Sequence, residues 1–168
     1  MWLALVLGAA VGVVSWGFAP QLAAWLGADG AVHDQAVAYL RWSLPGLPGM
    51  FLVLAATGTL RGRADGRTPM ILAIGAAILN LVGDIVLVFG LGMGIAGSGA
   101  ATAFAETLMG LTAAGIVAHG AARVGVGLRP RLAGMRTSLL VGVPLLIRTL
   151  ALRAALLLTT WTAARAGA

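Results

Sequence analysis

Uninterrupted apolar runs limit this chain more than any other feature. Stretches such as ILAIGAAILNLVG and LLVGVPLLI are apolar on every side. They fit neither an amphipathic surface helix nor the polar–apolar alternation of a barrel strand. A helix crosses the hydrocarbon core with roughly 20 mostly apolar residues, because its backbone groups are then paired within the segment itself. Such stretches run from Trp2 to about Leu26, Ala36 to Leu60, Pro69 to Leu91, Ile95 to Ala122 and Ser138 to Ala163. The fold class they predict is all-α, a polytopic membrane helical bundle of about five transmembrane helices. A composition that is 60% hydrophobic and 10% charged, with mean hydropathy +1.00, excludes an ordinary soluble domain.

All eleven basic residues are arginine, and the formal charge is +6. In a soluble protein that balance points to nucleic acid; here topology accounts for it and no nucleic-acid partner is expected. Arg61, Arg63 and Arg67 lie between the second and third apolar runs, and Arg123, Arg129, Arg131 and Arg136 between the fourth and fifth. Basic connections stay on the cytoplasmic side. The other connections carry Asp29, His33 and Asp34, or no charge, so helix count and charge bias agree that the start of the chain is cytoplasmic. Met1 leads straight into an apolar run with no basic segment before it, which reads as a spanning helix rather than a cleaved leader. With no cysteine in the chain, disulfides and thiolate metal sites are excluded. His33 and His119, at loop edges, are expected to be solvated, and no cofactor is expected.

Within the second run, Pro45 and Pro48 remove two backbone donors and predict a kink or local unwinding. Polar residues inside the later runs are the candidates for chemistry, because the bilayer penalises them unless they face a cavity or a partner. Asn80 and Asp84 share one face of the third helix, and Thr102 and Glu106 one face of the fourth. The short connection makes these helices antiparallel neighbours. At about 1.5 Å per residue, Asp84 and Thr102 each lie roughly 10 Å from that connection, and Asn80 and Glu106 roughly 16 Å from it. A carboxylate, an amide and a hydroxyl at matched depth form a candidate site for a proton or a sodium ion, since hard cations take oxygen ligands. The alternative reading is that these groups only hydrogen-bond neighbouring helices and fix packing. Arg148 and Arg153 fall within the fifth run, with Arg153 expected to pair structurally in the bundle.

Gly92, Gly94 and Gly97 match G-x-G-x-x-G, but that fingerprint requires a preceding strand in a βαβ unit. No nucleophile–base pair or metal-ligand set is present, so an enzyme is not expected. The 25 glycines, together with Ala100, Ala101 and Ala103, favour close helix packing in lipid. Tryptophans such as Trp2, Trp25, Trp42 and Trp161 lie near run ends, as interfacial anchors do.

YLRWSLPGLPGMF, GTLRGRADGRTPM and LNLVGDIVLVFGLGMGIAGSGAATAFAE occur in the order and spacing of a known pattern. With it, the chain resembles the multidrug and toxic compound extrusion (MATE) family, especially its bacterial DinF-like branch. The resemblance implies twelve helices in two lobes, exchanging a proton or sodium ion for organic, often cationic, compounds by alternating access in the bacterial plasma membrane. It implies that these helices are the third to seventh: residues 1–122 in the first lobe, 123–137 a cytoplasmic basic loop, and 138–168 the first helix of the second lobe. It assigns cation binding to Asp84, Asn80 and Thr102; beside these, Glu106, Pro45, Pro48 and Arg153 are candidates for accessory cavity residues. A further aspartate on the family's first helix has no counterpart here, and the chain reads as a fragment whose partners are the bilayer, small organic substrates and the remainder of the transporter. Two other readings are a non-transporting scaffold or degenerate remnant, and a lipid-flippase relative of the same fold. The latter is expected to carry more charge in its cavity than Asp84, Glu106, Arg148 and Arg153 supply.

Overall fold

The computed structural model describes residues 1–125 continuously and, beyond them, the single positions 127, 134, 136, 140, 142, 143, 147, 151 and 152. The chain divides into two units, Met1–Leu128 and Arg129–Ala168. In the second, the described positions from 134 to 152 are helical. The remainder of the fifth expected helix, with Arg148, Arg153 and Trp161, lies outside the described residues.

The first unit is all-α, with no strand among its described residues. Helix α1 (Trp2–Gly17) is followed by α2 (Ala19–Trp25), bent from it by 75°. The single helix expected to Leu26 is therefore corrected to two. Pro20 in the first turn of α2 lacks the N–H that would bond to Trp16, and its ring would meet that carbonyl in a continuous helix. Helix α3 (Gly30–Ser43) starts six residues before the expected Ala36 and takes in His33 and Asp34. His33 is consequently not a solvated loop residue: its Nε2–H donates to the Pro20 carbonyl at 3.1 Å, tying α3 to α2.

The expected proline break is present as a 3-10 turn at Leu44–Gly46, after which α4 runs over Leu47–Gly62. Helix α5 (Arg67–Asp84) continues into a π-helical turn at Ile85–Gly90, and α6 covers Gly94–Arg123. Gly92 and Gly94 between them have φ of 65° and 58°, a left-handed backbone that glycine adopts without Cβ strain. Those glycines reverse the chain between α5 and α6. Among the described residues, three segments are long and apolar enough to cross a membrane: Gly30–Gly62, Arg67–Gly90 and Gly94–Arg123. The bent α1–α2 pair makes a fourth if it counts as one span.

Helix α6 is the centre, packed against α3, α4 and α5, while α1 covers the outer side of α4. The buried apolar residues are small or unbranched at Cβ, among them Ala56, Leu60, Leu72, Ala101, Ala105 and Ala113. Helix association in lipid relies on close packing because lipid tails are as apolar as leucine. The closest approach is between Gly49 of α4 and Gly110 of α6. A Cβ at position 110 would lie 2.5 Å from the Cα and carbonyl oxygen of Gly49. One at position 49 would fall on the Glu106 carbonyl and within 2.6 Å of the Thr107 Cα. Met1 packs against the cluster of Ala56, Leu60, Leu72 and Ala113, so the start of α1 lies at the same end of the bundle as the ends of α4 and α6.

At that end, Asp65 Oδ1 accepts hydrogen bonds from the N–H groups of Thr68 (3.0 Å) and Arg67 (3.1 Å), capping the start of α5. The Thr68 hydroxyl, then the two amides and the nearby Arg63, hold the Asp65 carboxyl below its ordinary value. Because the folded pKa is depressed, the cap is complete above the unfolded carboxylate range and is lost as pH falls through the folded value.

Two outcomes follow from this packing. Gly110→Ala should destabilise the chain by about 1–3 kcal/mol through overpacking. Gly115→Ala, on the same helix with open space around it, should leave stability equal or higher by about 0.5–1 kcal/mol; thermal unfolding in one detergent compares the two. Hydrogen exchange at Arg67 and Thr68 should be slow from pH 7 down to about pH 4 and lose its protection below the ordinary carboxylate range. Asp65→Ala should lack that protection at every pH.

Candidate functional site

Lone hydroxyls and amides on membrane helices need partners, and α5 and α6 supply them to each other. Asn80 Nδ2 donates to Thr102 Oγ1 at 3.0 Å, and Thr102 Oγ1 donates to the Ser98 carbonyl at 3.0 Å. The hydroxyl proton is thereby committed along α6, which fixes the Asn80 amide as donor and leaves its Oδ1 free to accept or ligate. The helices can approach because Gly83 faces Ala101: a Cβ on Gly83 would lie 2.8 Å from the Ala101 Cβ. Asp84 follows on the same face of α5, one turn nearer the α5–α6 connection. Its Oδ1 is buried and accepts no hydrogen bond.

The structure joins Asn80, not Asp84, to Thr102, which corrects the level assignment by one helical turn. Part of the reason is the π turn at Ile85–Gly90, and part is the start of α6 at Gly94, one residue before the expected Ile95. With i→i+5 bonds, the wider π turn holds more residues and climbs less per residue than the α-helix assumed in the count. Leu91 N–H closes the turn on the Val86 carbonyl at 2.9 Å, and Met93 N–H reaches the Leu87 carbonyl at 3.0 Å. Gly97 of α6 packs on that same Leu87 carbonyl.

Glu106, one turn beyond Thr102 on α6, turns toward the proline break at the start of α4. Its Oε2 lies 2.7 Å from where a Cβ on Gly46 would stand, so the half-buried carboxylate sits against the proline break and not beside Asn80. Pro45 and Pro48 line an apolar cavity of about 340 Å³ with Gly12, Trp16 and Leu44. Arg153 lies outside the described residues. No group of three or more metal-ligating His, Cys, Asp or Glu occurs among the described residues.

Trp16 and Arg41 were not singled out by the sequence reading. Pro45 has no N–H to offer the Arg41 carbonyl four residues earlier, and the Trp16 indole N–H takes that role at 3.2 Å. The Arg41 guanidinium stacks over the same ring, 5.6 Å from its centre, a geometry that stabilises a cation inside a spanning segment. The i−4 relation between Arg41 and Pro45 was the available signal. Pro48 leaves the Leu44 carbonyl free in the same way, and Leu47 N–H closes on it in the 3-10 turn.

A bundle of spanning helices joined by paired polar side chains defines a multi-pass helical membrane protein. The MatE family model matches residues 1–86, from α1 into the π turn, and the chain belongs to that family. It is 35% identical over 116 residues to Protein DETOXIFICATION 44, chloroplastic, of Arabidopsis thaliana, an alignment covering 62% of this chain and 21% of that protein. The chain thus spans about one fifth of the length of that relative. No solved structure matches.

Proposed function

We propose that the chain is part of a multidrug efflux antiporter coupled to a proton or a sodium ion, exporting organic, often cationic, compounds. Family membership and the name of the detoxification relative support the efflux reading. The single observation that carries ion coupling is the buried, unbonded Asp84 Oδ1 one turn from the Asn80–Thr102 pair. A buried carboxylate oxygen without a donor is costly, and binding a proton or a cation there relieves the cost. Asn80 Oδ1 and the remaining Thr102 lone pair are the oxygen groups next to it.

In this reading the cavity beside Pro45 and Pro48 and the Glu106 carboxylate against the break form part of the substrate path. The broken span supplies the bend that alternating access needs. The arginine-bearing end, which carries Met1 as well, faces the cytoplasm of a bacterial plasma membrane.

Efflux of a fluorescent cationic dye from cells carrying the complete reading frame tests the reading. With expression matched, Asp84→Asn should reduce export to the level of cells without the transporter. Thr102→Val should weaken export, and Thr102→Ser, which keeps the hydroxyl, should restore it. Unchanged export by Asp84→Asn would reduce Asp84 to a packing residue.

A further inference from the structure

At the end of the bundle that carries Met1, the last turn of α6 and the connection after α4 enclose a pocket of about 480 Å³. Arg63, His119 and Arg123 supply its basic groups, Asp65 its acid, and Leu60 and Ile116 part of its apolar wall. His119 and Arg123 are four residues apart on α6 and share a face. Arg63 reaches across to them: its Nη1 lies 2.7 Å from where a Cβ on Gly120 would stand. A methyl group at position 120 would push the guanidinium aside, so the bare Gly120 lets Arg63 lie against α6 in the pocket that His119 and Arg123 also line.

Charge in the pocket is positive despite Asp65. That carboxylate is turned to the amides of Arg67 and Thr68, whereas two guanidiniums remain to meet a ligand. Planar guanidinium donors suit phosphate oxygens. Depth argues for a lipid source. Leu60 and Ile116 each lie about one helical turn toward the bundle interior from Arg63 and Gly120, so apolar wall adjoins the basic rim where the helices leave the membrane. A soluble anion uses only the rim; a phospholipid uses both.

We propose that this pocket binds the phosphate of an anionic phospholipid headgroup, held by Arg63 and Arg123 with His119 as a third donor, with the glycerol–acyl junction against Leu60 and Ile116. The site lies at the end of α6 away from the Asn80–Thr102 pair and depends on the membrane fold, not on the transport reading.

Native mass spectrometry of the full chain, released from micelles containing phosphatidylglycerol or phosphatidylcholine, reads the site directly. The parent should retain phosphatidylglycerol in preference. Arg63→Ala and Arg123→Ala should each lower that preference about fivefold, the weight of one basic residue at an anionic surface. Gly120→Ala, whose methyl displaces only the flexible end of Arg63, should lower it too without unfolding the chain. It keeps the test open if an arginine variant fails to fold. Arg61→Ala, whose arginine is exposed in the last turn of α4 and does not line the pocket, should leave it unchanged. Equal retention of the two lipids would overturn the proposal, as would a loss in Arg61→Ala as large as in Arg63→Ala, the mark of a diffuse field. Displacement of phosphatidylglycerol by inorganic phosphate would reassign the pocket to soluble anions and contradict the lipid assignment.

Discussion

Where α4 crosses α6, two glycines put backbone against backbone, and the positions of the other described helices follow from that contact. Gly49 and Gly110 leave no space for a methyl group between them, so the two spans meet backbone to backbone. Close meeting is what holds helices together in lipid, where burial of apolar surface offers no net gain over contact with acyl chains. With α4 seated there, α1 lies along its far side through Gly8 and Gly12, against Pro48 and Leu44. On the other flank of α6, Gly83 and Ala101 repeat the approach on a smaller scale, and α5 arrives with Asn80 facing Thr102. The candidate site is therefore a consequence of small residues on two faces of one helix.

Backbone polarity is the second constraint, and it explains the irregular elements. A carbonyl freed inside the bilayer costs about 1–3 kcal/mol if it finds no donor, and the breaks after α3 and α5 come with one. The Arg41 carbonyl receives the Trp16 indole. The Leu44 carbonyl receives Leu47 in the 3-10 turn, and the Leu87 carbonyl at the π turn receives Met93. Asp84 Oδ1 stands apart as the buried side-chain oxygen among the described residues that no donor meets. That contrast is the observation on which the proposed ion coupling through Asp84 rests.

Much of this could be read in the residues, and the failures have physical causes. The apolar runs gave away the helices, and Pro45 with Pro48 the break between α3 and α4. Pro20 was equally visible, but it sits in a run apolar throughout, where hydropathy carries no sign of a bend. The pairing of α5 with α6 followed from a connection too short for any other geometry. Its register did not, in part because the π turn at Ile85–Gly90 is as apolar as the α-helix before it and shortens the rise. The Gly49–Gly110 contact was hidden for a different reason: with 25 glycines in the chain, composition announces close packing without saying which residues meet.

The register of α5 against α6 is the claim on which the site depends, and the chain's lack of cysteine makes it directly measurable. Two double variants, Asn80→Cys with Thr102→Cys and Asp84→Cys with Thr102→Cys, can be oxidised side by side in membranes and the rate of disulfide closure followed. The geometry predicts that the 80–102 pair closes faster, because Asn80 and Thr102 are already in hydrogen-bond contact. Faster closure of the 84–102 pair would contradict it, restore the even count along two regular helices, and remove the structural basis for setting Asp84 apart.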